Sequence, residues 1–201
     1  MNVYFDNAST TKVRDEVIND ISNVLKDSFG NPSSAHSFGR SAKSYIETSR
    51  RSIANILNCE PGEIIFNSGG TESDNSILKC AVKDLGVKHI ISSRIEHHAI
   101  THTLDELKLQ GVNIHYVKLS KNGNVDIENL EYLLRKNDEL KLVTLMYINN
   151  EIGNILDINS VSDLCQKYNS FFHTDAVQAV GHYKIDLNSI KIDFLTSAGH
   201  K

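Results

Sequence analysis

From residue 61 onward, short apolar runs alternate with longer stretches whose apolar residues recur at three- and four-residue intervals. The short runs are Ile64-Ile65-Phe66, His89-Ile90-Ile91, Val112–Val117, Leu142–Ile148, Ser170–Thr174 and Ile192–Thr196. Their length and content predict buried strands. Helical patterns fill the intervals. The first runs from Thr71 to Leu85 and stops at Gly86, and the second runs from His98 to Gln110 with Ile100, Leu104 and Leu107 inward. Ile127, Leu130, Leu133 and Leu134 mark the next, and Ile158, Val161, Leu164, Cys165 and Tyr168 the last. Repeated strand–helix alternation predicts an α/β fold, a mostly parallel sheet with helices on both faces. Right-handed crossovers then bring the strand C-termini to one rim, where open α/β sheets bind their ligands.

The N-terminal part is organised differently. Val3-Tyr4-Phe5 leads into the polar segment Asp6–Thr11, and a helix follows with Val13, Val17, Ile21, Val24 and Leu25 on one stripe. Gly30-Asn31-Pro32-Ser33-Ser34 has turn composition. A long helix is expected from Ser37 to Leu57, with Ala42, Tyr45, Ile46, Ser49, Ile53, Ile56 and Leu57 as its inner face, before the break at Glu60-Pro61-Gly62. With no low-complexity tract and few prolines, the sequence reads as one large domain over 1–201, an N-terminal segment 1–60 plus a βα core 61–201.

Composition narrows the function classes. Hydrophobic residues make up 40% and charged residues 23% of the 201, usual values for a globular chain. Lys and Arg number 21 against 25 Asp and Glu, a net charge of −4, so nothing marks a nucleic-acid surface. Cys59, Cys80 and Cys165 are widely spaced and form no C-x-x-C pair, so neither a disulfide framework nor a zinc ribbon is indicated. The first residues lack the basic start and apolar core of a signal peptide, and no apolar run approaches membrane-spanning length. The expectation is a cytoplasmic, reducing setting with no membrane partner.

The expected rim loops carry the chemistry. Ser68-Gly69-Gly70-Thr71 lies between a strand and a helix; Gly70 allows close backbone approach, and the helix start offers N–H groups and a hydroxyl from Thr71 to a phosphate. It matches neither a P-loop nor a dinucleotide fingerprint, and a plain βα turn with a capping threonine has the same composition. Glu96-His97-His98 ends the next loop, where a flat imidazole could stack on an aromatic ring. His98 and His102 stand at i, i+4, but the H-E-x-x-H order is absent, so no metal site is expected. Asn149-Asn150-Glu151-Ile152-Gly153 presents side-chain amides, and is also an ordinary turn composition. Asp175 ends the Ser170–Thr174 run, with Gln178 three residues on, and Ser197-Ala198-Gly199 delivers His200 and Lys201 after the last run. A lysine able to form a Schiff base, with a carboxylate to face a pyridinium nitrogen, is the protein signature of pyridoxal 5′-phosphate (PLP). Exposed strand-end polar residues are the unspecialised alternative.

Together these stretches resemble the N-terminal part of NifS/IscS-type cysteine desulfurases, fold-type-I PLP enzymes grouped with the class V aminotransferases. The matching segments are Tyr4–Thr11, Gly30–His36, Asn67–Asn75, Glu96–Ala99, Asn149–Gly153, His173–Gln178 and Gly199–Lys201, in the family's order and over nearly the whole chain. Gly-Asn-Pro-Ser-Ser favours the IscS/NifS branch over the SufS-like one. The resemblance implies the PLP-binding large domain and a set of roles. Gly70 and Thr71 bind the phosphate, helped by His200. His97 stacks on the ring and acts in acid–base steps. Asn150 contacts the cofactor's O3′ side and the substrate carboxylate. Asp175 pairs with the ring nitrogen, Gln178 with the phenolate oxygen, and Lys201 is the Schiff-base lysine. It also implies a homodimer that converts L-cysteine to L-alanine. Its sulfur passes as a persulfide to acceptors such as an iron–sulfur scaffold or a tRNA-thiolation protein.

Two departures stand out. The family places a serine three residues before the lysine, where this chain has Ala198, with Ser197 one further back. The family also continues, past the lysine, into a small domain carrying the nucleophilic cysteine. The expectation is therefore a piece of a longer polypeptide, which cannot finish the reaction alone. Alternative readings are another class V enzyme, such as a selenocysteine lyase or an aminotransferase; a catalytically incomplete partner or scaffold subunit; and a generic phosphate-binding doubly wound domain, which gives Lys201 no role.

Overall fold

A computed structural model describes residues 1–201. The chain divides into two compact units, Met1–Phe66 with His200, and Asn67–Gly199 with Lys201.

The first unit holds α1 (Asp15–Asp27), α2 (Ser37–Leu57) and a 3-10 turn (Pro61–Glu63). Helix α1 forms as its periodicity predicts, but none of its residues is buried. In α2 only Gly39, Ala42, Ala54 and Leu57 are buried. Tyr45, Ile46 and Ile56, expected inward, are exposed. Periodicity fixes which residues share a stripe, not whether anything covers it. Asn58 ends α2 in the left-handed region (φ 56°), which Asn tolerates better than most residues. The expected strand Ile64–Phe66 does not form. A strand exists only where its backbone pairs, and this segment pairs with no strand of the sheet. Instead Arg50 donates to the Ile64 carbonyl and sets its guanidinium 4.9 Å from the centre of the Phe66 ring.

The second unit is the α/β core. In chain order it contains α3 (Gly70–Lys83), β1 (His89–Ser92), α4 (His98–Leu109), β2 (Asn113–Tyr116), α5 (Ile127–Arg135), β3 (Lys141–Thr144), α6 (Ile158–Lys167), β4 (Phe171–Asp175) and β5 (Phe194–Thr196). The five strands form one sheet in the order β2-β1-β3-β4-β5, every pair parallel. Alternation across the pleat builds the two cores. Ile90 and Leu142 point to the face covered by α3 and α4, with Leu78, Ile100 and Leu104. Ile91, Val143 and Phe172 point to the face covered by α5 and α6, with Leu130, Leu134 and Val161. Strands buried on both sides need continuous apolar runs, which explains their sequence. Gly86 (φ 74°) turns the chain into β1 after α3, as its position predicts. The strand order reverses between β1 and β3. That is the topological switch point, and open sheets of this order bind ligands outside the strand C-termini there.

Candidate active site

Each rim loop is held by bonds that follow from its residue types. Gly69 precedes α3 at φ 154°, ψ −179°, a conformation open essentially to glycine alone, and no side chain caps the helix. Beneath it, Asn67 Oδ1 accepts from Gly69 N at 3.1 Å, and Glu72 Oε2 from Ser68 N at 2.7 Å. A Cβ on Gly70 would meet Val177 Cγ2 at 3.0 Å and Thr196 Cγ2 at 3.7 Å. Glycine at 70 therefore lets the start of α3 lie against the ends of β4 and β5. Thr71 follows, exposed. An uncapped helix start with its positive dipole end is suited to an anion.

Asp175 is the last residue of β4 and is buried. Its Oδ1 accepts from Val177 N at 2.9 Å. Burial pushes its carboxyl upward, while the Val177 N–H and the charges of His97 and Lys201 pull it back. Gln178 sits half-buried in the following turn, which Ala176 closes by accepting from Ala179 N at 2.9 Å and Val180 N at 3.0 Å.

His97 is the N-cap of α4, and its Nδ1 accepts from Ala99 N at 3.1 Å. That bond leaves Nε2 as the edge available to a ligand. Glu96, just before it, ties two loops together: Ser93 Oγ donates to Oε1 at 2.5 Å and Met146 N to Oε2 at 2.8 Å. Burial raises this carboxyl to about 8. Asn149 is a second tie. Its Oδ1 accepts from Glu151 N and Ile152 N at 2.8 and 3.0 Å, and its Nδ2 donates to Ile95 O at 2.7 Å. With these positions fixed, Asn150 is left half-buried, bonded only to the neighbouring Glu151 Oε1 at 3.1 Å. Between the two loops lies a cavity of about 310 Å³ lined by His97, Asn150, Arg94, Glu96, Glu151 and Ile152. It opens at the switch point between β1 and β3.

The structure thus brings Gly70, Asp175, His97 and Lys201 to one rim, with Asn150 on the same cavity as His97. His200 instead groups with the first unit: its carbonyl accepts from Thr11 N at 3.0 Å and Thr10 Oγ1 at 3.1 Å. The His98 and His102 rings lie 5.1 Å apart, and no cluster of three or more His, Cys, Asp or Glu is set to hold a metal ion. A helix start for an anion, a buried carboxylate for a protonated ring nitrogen, an imidazole and a primary amine fit a phosphorylated pyridine aldehyde better than a nucleotide, because a nucleotide gives the lysine nothing to do.

Residues 3–201 match the family described as aminotransferase class-V. The chain belongs to that family. It is 42% identical over 202 residues to a protein named putative cysteine desulfurase IscS 1 from Bacillus subtilis, covering 99% of this chain and 52% of that protein. It is 43% identical over 202 residues to cysteine desulfurase IscS from Methanosarcina thermophila, covering 99% of this chain and 49% of that protein. Among solved structures, a NifS-like protein superposes with TM-score 0.95 at 35% identity, covering 100% of this chain and 55% of that one. A structure described as SspA in complex with cysteine superposes with TM-score 0.92 at 34% identity, covering 98% and 57%. These relatives bear out the resemblance drawn from the motifs. The chain spans about half the length of the curated relatives it matches. Glu96 and Asn149, named in the sequence only as members of rim loops, turn out to tie those loops together, and Asp74, which the motifs do not single out, lies beside Asp175. Asp74 had a signal: Gly70, Asp74, Leu78 and Ala81 recur at helical spacing, so Asp74 shares the stripe that α3 buries.

Proposed function

We propose that this chain is the cofactor-binding portion of a PLP-dependent cysteine desulfurase. The enzyme would convert L-cysteine to L-alanine in the cytoplasm as a homodimer and hand the sulfur on as a persulfide. Its acceptors would be proteins such as an iron–sulfur scaffold or a tRNA-thiolation partner. The observation that carries this reading is Asp175: a buried carboxylate at the end of β4, beside the uncapped start of α3 and under the charge of Lys201. PLP, when bound, supplies an electron sink for charge developing at the substrate α-carbon.

The protein's own groups supply the rest. Asp175 holds the ring nitrogen protonated, and burial strengthens that pairing by lowering the local dielectric. Gly70 and Thr71 bind the phosphate through backbone N–H groups and the Thr71 hydroxyl. Gln178 donates to the phenolate oxygen. His97 stacks on the ring and takes part in proton transfer, and Asn150 reaches the O3′ side and the substrate carboxylate. Lys201 holds the cofactor and then moves the proton at the α-carbon. The thiol that receives sulfur is none of the three cysteines present. Burial pushes up all three, and carboxylates add to it: Glu63 and Glu60 at Cys59, Asp84 at Cys80 and Asp193 at Cys165. The thiolate is the nucleophile, so thiols held protonated are poorly suited to the role.

Borohydride reduction of the PLP-loaded protein, followed by peptide mass mapping, tests the reading. The expected result is one reduced pyridoxal phosphate adduct on the peptide that contains Lys201. No adduct, or an adduct on another lysine, overturns it.

A further inference from the structure

Asp175 does not stand alone in the buried rim. Asp74 on α3 is 1% exposed and His173 on β4 is fully buried. They face each other, with His173 Nε2 3.6 Å from Asp74 Oδ1, and that oxygen has no hydrogen-bond partner. The His173 ring is bracketed by hydroxyls, Thr144 Oγ1 at 2.8 Å from Nδ1 and Thr196 Oγ1 at 3.2 Å from Nε2. Glu96 completes a set of three buried carboxyl groups that act on one another: Asp175 bears on both Asp74 and Glu96, and Asp74 on Glu96. No lysine or arginine pairs with Asp74 or Glu96. Three like charges in such a place are strongly disfavoured, so protons must be retained.

We propose that Asp74 is a positioning residue for the cofactor site: it remains a neutral carboxylic acid against a neutral His173, so that the negative charge of the buried carboxyl set resides on Asp175. The geometry separates the three acids. Asp175 combines a backbone N–H at its carboxylate with the charge of Lys201, whereas Glu96 accepts from Met146 N and Ser93 Oγ with no lysine or arginine paired to it. Asp74 faces His173 and Asp175 from β4, Thr196 from β5, and Glu96 from the loop after β1. Among these, only His173 could supply a positive charge. Burial holds that imidazole down to about 3, while burial and the Asp175 charge push Asp74 up to about 8. Both directions put the proton on Asp74. The neutral pair avoids burying an ion pair whose desolvation would exceed its attraction. A neutral Asp74 also adds no second anion beneath the ring nitrogen that Asp175 serves.

This inference deepens the PLP reading, and its role for Asp175 rests on that reading. Its test needs no cofactor, so the two fail separately. Infrared difference spectra are recorded on the full-length protein freed of PLP, at neutral pH. Wild type minus Asp74→Asn is expected to show the C=O stretch of a protonated carboxylic acid. Wild type minus Asp175→Asn is expected to show carboxylate bands. Carboxylate bands lost in Asp74→Asn, or the reverse pattern, overturn the proposal. A second measurement needs no variant. Asp74 and Glu96 have folded values of about 8 against ordinary values of 3.8 and 4.5, so they bind extra protons in the folded state across that interval. Their stabilising contribution is complete below the ordinary carboxyl range and is lost as pH rises toward 8. His173 acts in the opposite sense, costing stability only as pH falls below its ordinary 6.5. Between about pH 7 and 8 the acids therefore dominate, and stability of the PLP-free protein is expected to fall as pH rises. Stability that is flat or rises over that interval overturns the proposal.

Discussion

Asp175 concentrates the account at the scale of a single residue. Substituting asparagine keeps the shape and the acceptor for Val177 N, and removes only the charge. Loss of one preorganised electrostatic partner typically costs about 100- to 1,000-fold in rate. Asp175→Asn is accordingly expected to slow alanine formation from cysteine by about that factor, measured at saturating cysteine with PLP in excess. A variant within a factor of two of wild type contradicts the assigned role. Asp175 and the Gly70–Thr71 turn were legible because they sit at a strand end and a helix start, places that periodicity locates, and Lys201 because it closes the loop after the last apolar run. Asp74 and Glu96 were harder to read. Nothing in a one-dimensional pattern says that α3 turns its aspartate toward a buried histidine on β4. That information resides in which helix covers which strand.

The decisive element is the junction between residue 67 and α3. Gly69 holds φ 154°, and a Cβ built on it meets nothing within 4 Å. Replacement by alanine therefore brings conformational strain without a clash, about 1–3 kcal/mol for a residue forced into a sparsely populated region. Gly69→Ala is expected to lower the free energy of chemical unfolding by about that amount and to weaken PLP binding, because the helix start must shift to relieve the strain. Unchanged stability contradicts the assigned backbone role. At this scale the parallel core was readable, since strands buried on both faces write continuous apolar runs. The Ile64–Phe66 strand was misread for a related reason. Its composition is that of a strand, yet pairing requires a neighbour, and Arg50 takes the Ile64 carbonyl instead. In α2 the stripe was readable and its cover was not, so Tyr45, Ile46 and Ile56 end up exposed.

Taken as a whole, the two units differ in how much apolar surface they bury. The βα core closes two complete hydrophobic clusters, one on each face of its sheet. The first unit leaves Ile21 52% and Leu25 74% exposed on α1, and Ile65 81% exposed beyond the 3-10 turn. Exposed apolar side chains such as Ile21 and Leu25, one turn apart on α1, are a liability in water. Residues 1–201 expressed by themselves are expected to self-associate as concentration rises, seen as growing mass in light scattering. Ile21→Glu with Leu25→Glu should reduce that growth, and a concentration-independent monomer without these substitutions contradicts the expectation. The proposed function puts PLP chemistry on cysteine at the rim formed by the β1–β3 switch point and the β4–β5 end, with Lys201 at its centre. The most direct measurement is alanine released from L-cysteine by the full-length protein, wild type against Lys201→Ala, each supplied with PLP. Alanine with a matching yield of sulfur is expected from wild type, and none above background from Lys201→Ala. Equal alanine from both proteins, or none from wild type carrying bound PLP, contradicts it.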